Sequence, residues 1–102
     1  MANKAHTATI RRICERYGGL SGEALGIDIV ANGWLVEVET TATLEEGVAR
    51  LLRLPGLRYI AVTNKEAVIE AIHRTAQTDI GVMDPHGNIV QPASESAGSE
   101  LD

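Results

Sequence analysis

The chain has 102 residues, 44% of them hydrophobic, with no Phe, one Trp and a formal net charge of −5, enough for a single domain whose core rests on Leu, Ile, Val and Ala. No apolar run is long enough to span a bilayer and the start of the sequence lacks a signal-peptide hydrophobic region, so a cytoplasmic protein without membrane partners is expected. The single cysteine, Cys14, excludes an internal disulfide, and the stretch from Gln91 to Asp102 carries −3 of the charge, which leaves −2 on the remainder and gives nucleic acid no bulk attraction beyond a local basic patch or bound divalent cations.

Ile10, Ile13, Cys14 and Tyr17 recur at helical spacing and predict an amphipathic helix from about Asn3 to Tyr17, ended by Gly18-Gly19. Cys14 falls on the apolar stripe and reads as a small buried hydrophobe. The polar face carries Arg11, Arg12, Glu15 and Arg16. Its plain reading is a solvated face of mixed charge; its chemical reading is that the arginines meet phosphate while Glu15 leans toward other carboxylates.

After a connector over Leu20 to Glu23, two alternating runs, about Ala24–Ala31 and Trp34–Thr41, flank Asn32-Gly33. Asn-Gly between such runs signals a two-residue hairpin with a type I′ turn. The register then sets Ala31 opposite Trp34, Val30 opposite Leu35, Ile29 opposite Val36 and Asp28 opposite Glu37. Period-two alternation puts Ile27, Ile29, Trp34, Val36 and Val38 on one apolar face, and Asp28, Val30, Leu35, Glu37 and Glu39 on the other. Like charges opposite one another destabilise a sheet. Three carboxylates on one patch therefore need water, a shared proton or a cation, and hard cations such as Mg²⁺ are held by a few carboxylates. A solvated outer sheet face competes evenly with a metal site.

Thr43-Leu44-Glu45-Glu46 has the capping-box pattern and opens a helix to about Leu54, with Leu44, Val48, Leu51 and Leu52 inward and Arg50 and Arg53 directed to solvent. Pro55-Gly56 turns the chain into a continuous apolar strand, Leu57 to Val62, expected to be buried on both sides. Thr63-Asn64-Lys65-Glu66 repeats the capping pattern before a helix to about Ala76; Asp79–Met83 and Asn88–Val90 read as strands joined by a turn at Asp84-Pro85-His86-Gly87. His6, His73 and His86 stand alone. Residues 1–91 are read as one α/β domain of order α-β-β-α-β-α-β-β, a mixed sheet flanked by helices, and residues 92–102 as a disordered acidic tail.

These residues resemble the PD-(D/E)xK, or restriction-endonuclease-like, nuclease superfamily over roughly Ala5 to Thr63. Gly26-Ile27-Asp28-Ile29 resembles its Asp strand, and Leu35-Val36-Glu37-Val38-Glu39 its (D/E)xK strand in a Glu-x-Glu variant, since Glu39 stands where the lysine usually does. The resemblance implies an αβββαβ-type core and a metal-dependent endonuclease, with DNA the expected substrate. It implies Mg²⁺ or Mn²⁺ on Asp28 and Glu37, with Glu15 as an extra acidic ligand, and Glu39 as base or further ligand. Lys65 or Arg50 would stand in for the missing lysine. Arg11, Arg12, Arg16 and Arg50 would hold phosphates, and cutting both strands of a duplex would need a homodimer. The alternative is a nuclease-like fold without catalysis that binds DNA or protein.

Overall fold

The computed structural model describes residues 4–95. Its frame starts at the hairpin. Asn32 and Gly33 both take positive φ, 56° and 80°, as a type I′ turn demands, and β2 (Ile29–Ala31) and β3 (Trp34–Glu39) pair in the expected register, Ala31 with Trp34, Val30 with Leu35 and Ile29 with Val36. β2 is shorter than expected. Residues Glu23–Leu25 form a single 3₁₀ turn, Gly26 is left-handed, and the amides of Gly22 and Ile27 close the loop on Asp28 and Gly22 carbonyls. This pinched loop lets β1 (Leu20–Ser21), expected to be a connector, pair antiparallel with β2.

β4 (Leu57–Val62) lies parallel to β3, β5 (Gly81–Met83) parallel to β4, and β6 (Ile89–Gln91) antiparallel to β5. The result is one six-stranded mixed sheet in sequential order with three helices, a small α/β domain. α1 (Lys4–Tyr17) covers one face over Ile29, Val36, Val38, Tyr59, Ala61 and Met83; α2 (Leu44–Leu52) and α3 (Glu66–Thr75) cover the other over Ile60, Val62, Ile80 and Val82. Trp34 sits between Tyr17 and Tyr59, with centroids 5.0 Å away on each side. Ile27 leaves the face assigned to it. Ahead of β2 the strand geometry has lapsed, and its side chain joins the α2 side of the core. No helix among the described residues is long and apolar enough to cross a membrane.

Thr43 is the N-cap of α2 as expected, but its side chain bonds elsewhere, and the cap of α3 is displaced. Thr43 closes a capping box with Thr40 around a 3₁₀ turn (Thr41–Thr43) that precedes α2. Thr63 gives its amide to the Glu39 carbonyl, and Asn64 caps α3 instead, its Oδ1 accepting the Ala67 amide at 2.9 Å. At the far end the sheet holds the chain past β6: the Ala93 amide meets the Tyr59 hydroxyl and the Ser94 amide the Asp79 carbonyl. Order therefore extends past Pro92, where the acidic tail was expected to begin; its last part, residues 96–102, lies outside the described residues.

The one charge in the apolar β4 run is also buried. Arg58 is 3% exposed and donates to the carbonyls of Leu51, Leu54 and Gly56 at 3.0–3.1 Å. It satisfies the free carbonyls that any helix end leaves over, and so ties the C-terminal end of α2 to the sheet. Arg58→Leu should lower the unfolding free energy by about 2–4 kcal/mol, read from urea denaturation, because the carbonyls stay buried without a donor.

Candidate metal centre

Glu37 and Glu39 alternate with Val36 and Val38 on β3 and face α2. That face is covered, not solvated: the two glutamates are 2% and 6% exposed. Gly47 makes the cover possible, since a Cβ at that position of α2 would stand 2.5–2.7 Å from Glu39 Cγ, Cδ and Oε2.

Asp28 joins them from just ahead of β2. The regular ladder ends at Ile29–Val36, so the Val38 amide has no strand partner, and Asp28 Oδ2 accepts it at 2.8 Å. Carboxylate oxygens of Asp28, Glu37 and Glu39 then lie within 4.8 Å of one another, inside the separation expected from the hairpin. Three oxygen donors at this spacing suit a hard divalent cation. Asp28 and Glu37, but not Glu39, border an open cleft of about 470 Å³ whose lining also includes Ile10, Ile27, Glu23 and Arg50.

Arg50 and His6 reach the trio from opposite sides of the sheet. Arg50, near the end of α2, turns back over β3; its Nε donates to Glu37 Oε2 and its Nη2 to Glu39 Oε2 at 3.3 Å. Its side chain remains 44% exposed. His6 on α1 stands with Nε2 3.4 Å from Asp28 Oδ2, so it is not the isolated histidine the sequence suggests.

Burial is the main reason the Glu37 pKa rises, to about 7; the Arg50 hydrogen bond opposes the rise, and the neighbouring Asp28 adds to it. The Glu39 pKa is raised by burial against the opposing Thr43 hydroxyl and Arg50. The neighbouring Asp28 adds to the rise at Glu39 as well.

Other candidate residues stand elsewhere. Glu15 is exposed on α1 and is not part of the carboxylate group. Lys65 is exposed ahead of α3 and makes no ion pair among the described residues. Arg12 donates to the Pro85 carbonyl at 2.6 Å, and Arg16 to Asn88 Oδ1 and the His86 carbonyl. They fasten α1 to the β5–β6 loop, four strands from β2, and do not line the cleft. Arg11 is exposed. Sequence reasoning missed Gly47 and His6 as parts of the site. A glycine inside an otherwise regular helix was the available signal for the first; nothing local pointed to the second. Compared with known proteins, the chain matches no family model, no curated protein and no solved structure.

Gly47→Ala gains helix propensity of up to about 1 kcal/mol but drives a methyl into Glu39. A net loss of about 1–3 kcal/mol is expected, checked by thermal unfolding. A pH scan tests the burial. The folded chain keeps the Glu37 proton up to about 7, against an ordinary 4.5, so folding takes up a proton in that window. Stability from this group is complete below pH 4.5 and is lost as pH rises toward 7. Glu37→Gln should flatten that part of the stability profile.

Proposed function

We propose that this protein is a metal-dependent nuclease of the PD-(D/E)xK type, in a Glu-x-Glu form, hydrolysing phosphodiester bonds in DNA. The observation that carries the reading is the meeting of Asp28, Glu37 and Glu39 within 4.8 Å, with Asp28 and Glu37 lining an open cleft. The succession α1-β1-β2-β3-α2-β4 also supports it, since β1 supplies the third strand of an αβββαβ core.

The donor set fits Mg²⁺ or Mn²⁺: all three groups are carboxylates, two are held rigidly by burial, and the third is fixed by the Val38 amide. Asp28 and Glu37 would hold the ion. When bound, it would polarise a phosphodiester and lower the pKa of an attacking water. Glu39 is the remaining carboxylate and would complete the ligand set or accept the water's proton. His6 steadies Asp28 from the α1 side. Ile10 and Ile27 form the apolar part of the cleft wall and limit water around the reacting phosphate. Arg50, in the same wall, supplies the nearest guanidinium for a phosphate oxygen. Lys65 has no place in this scheme. A domain of this size reaches one strand, so cleavage of a duplex on both strands would take a homodimer.

A second reading is an inactive nuclease-like module that binds DNA or protein. It is favoured by the Arg50 pairing, which gives Glu37 and Glu39 a cationic partner without any metal. Incubation of the purified protein with Mg²⁺ or Mn²⁺ on duplex, single-stranded and branched DNA separates the two. The nuclease reading expects cleavage, reduced on the order of a hundredfold or more by Glu37→Ala, with the variant still folded by circular dichroism. Binding of Mn²⁺ with no cleavage of any form would select the inactive module.

A further inference from the structure

We infer that Arg50 is a latch displaced by the cation: its guanidinium holds Glu37 and Glu39 while no metal is bound, and a divalent ion entering among the carboxylates releases it into the cleft, where it takes a phosphodiester oxygen. The inference rests on the reading of the trio as a metal site and adds how that site is kept and then opened.

The geometry sets up a direct competition. Arg50 bridges two different carboxylates with two nitrogens of one planar group, and such a fork loses both bonds together when it turns. The glutamates cannot follow it. They are buried beneath α2, with Glu39 packed against Gly47. A cation that draws their oxygens inward therefore meets fixed ligands and a movable competitor. Arg50 is the movable partner because it lies in the last turn of α2 and is 44% exposed, so release needs side-chain rotation alone. Ligand number favours the exchange: the three carboxylates offer a hard divalent ion an oxygen each, where Arg50 engages only two of them.

The destination follows from the same geometry. Arg50 already lines the cleft beside Asp28 and Glu37. Freed from its carboxylates it keeps a donor fork there, and that fork pairs well with phosphate oxygens. No arginine of α1 lines the cleft, and Arg12 and Arg16 are engaged with the β5–β6 loop. One side chain thus serves the empty and the loaded site in turn.

The test uses the full chain. Mn²⁺ affinity is measured by calorimetry for the wild type, Arg50→Gln and Arg53→Gln, the last being an exposed arginine of the same region outside the cleft. Arg50→Gln should bind Mn²⁺ on the order of tenfold more tightly, and Arg53→Gln within about twofold of wild type, as expected for a screened surface charge. In parallel, the ¹⁵N–¹H signal of Arg50 Nε in the wild type should move on saturation with diamagnetic Mg²⁺ and move again on adding dimethyl phosphate. Unchanged or weaker Mn²⁺ binding by Arg50→Gln, in a wild type that binds the ion, overturns the latch and leaves the metal site standing. Equal tightening by both variants does the same, because it reports general charge alone. If Arg50→Gln does not fold, an Nε signal unmoved at saturating Mg²⁺ overturns the latch by itself, and one that moves supports it. A signal that ignores dimethyl phosphate overturns the phosphate role. Failure of wild type and variant alike to bind Mn²⁺ overturns the metal reading and the latch with it.

Discussion

Two carboxylates under a helix set the main constraint on this molecule. Glu37 and Glu39 sit on a sheet face that α2 covers almost completely, and an ionised carboxylate taken out of water is costly unless a partner meets it. Arg50 meets both. Gly47 leaves the space that brings α2 close enough for it to do so, and Arg58 pins the helix end from which Arg50 turns back. A sheet built for stability alone would place apolar residues at these two positions. The two acids are kept here under burial that raises the pKa of each, and the proposed metal site gives them a use.

The site also depends on a strand that stops early. If β2 ran back through Ile27, the Val38 amide would bond a backbone carbonyl. Because the loop after β1 is pinched at Gly22 and Gly26, the Asp28 side chain takes that amide and is held beside Glu37. The same break sends Ile27 to the α2 side of the core. Asp28 is thereby reachable from α1, where His6 stands. The cleft lies where regular pairing ends, between Ile10 of α1, the loop from Ser21 to Asp28, and Arg50 of α2.

What could be read from the sequence was whatever short-range geometry dictates. Asn32-Gly33 fixes two positive φ values and hence the register as far as Ile29–Val36; period-two alternation puts Glu37 and Glu39 on one face, and Asp28 directly precedes the last pair. The buried β4 run and the helix at 44–52 followed from periodicity. Long-range partnerships were not legible. Arg50 looked solvent-directed because periodicity places a Cβ but not the end of a long side chain, which here bends back across the sheet. His6 meets Asp28 only because α1 packs across β2 and β3. Arg12 and Arg16, read as phosphate contacts, are used by a loop some seventy residues away in sequence. The capping bonds also differ from the pattern read in sequence: the Thr43 hydroxyl accepts the Thr40 amide, and Asn64 rather than Thr63 takes the free amide of α3.

These constraints converge on one claim, that the three carboxylates form a divalent-cation site whose resting counter-ion is Arg50. A crystal soaked in Mn²⁺ and measured at the manganese edge tests it most directly. The account predicts one anomalous peak about 2.0–2.5 Å from oxygens of both Asp28 and Glu37, with the Arg50 guanidinium moved off Glu37 into the cleft. No peak among the carboxylates at millimolar Mn²⁺, with Arg50 still bridging Glu37 and Glu39, would contradict it.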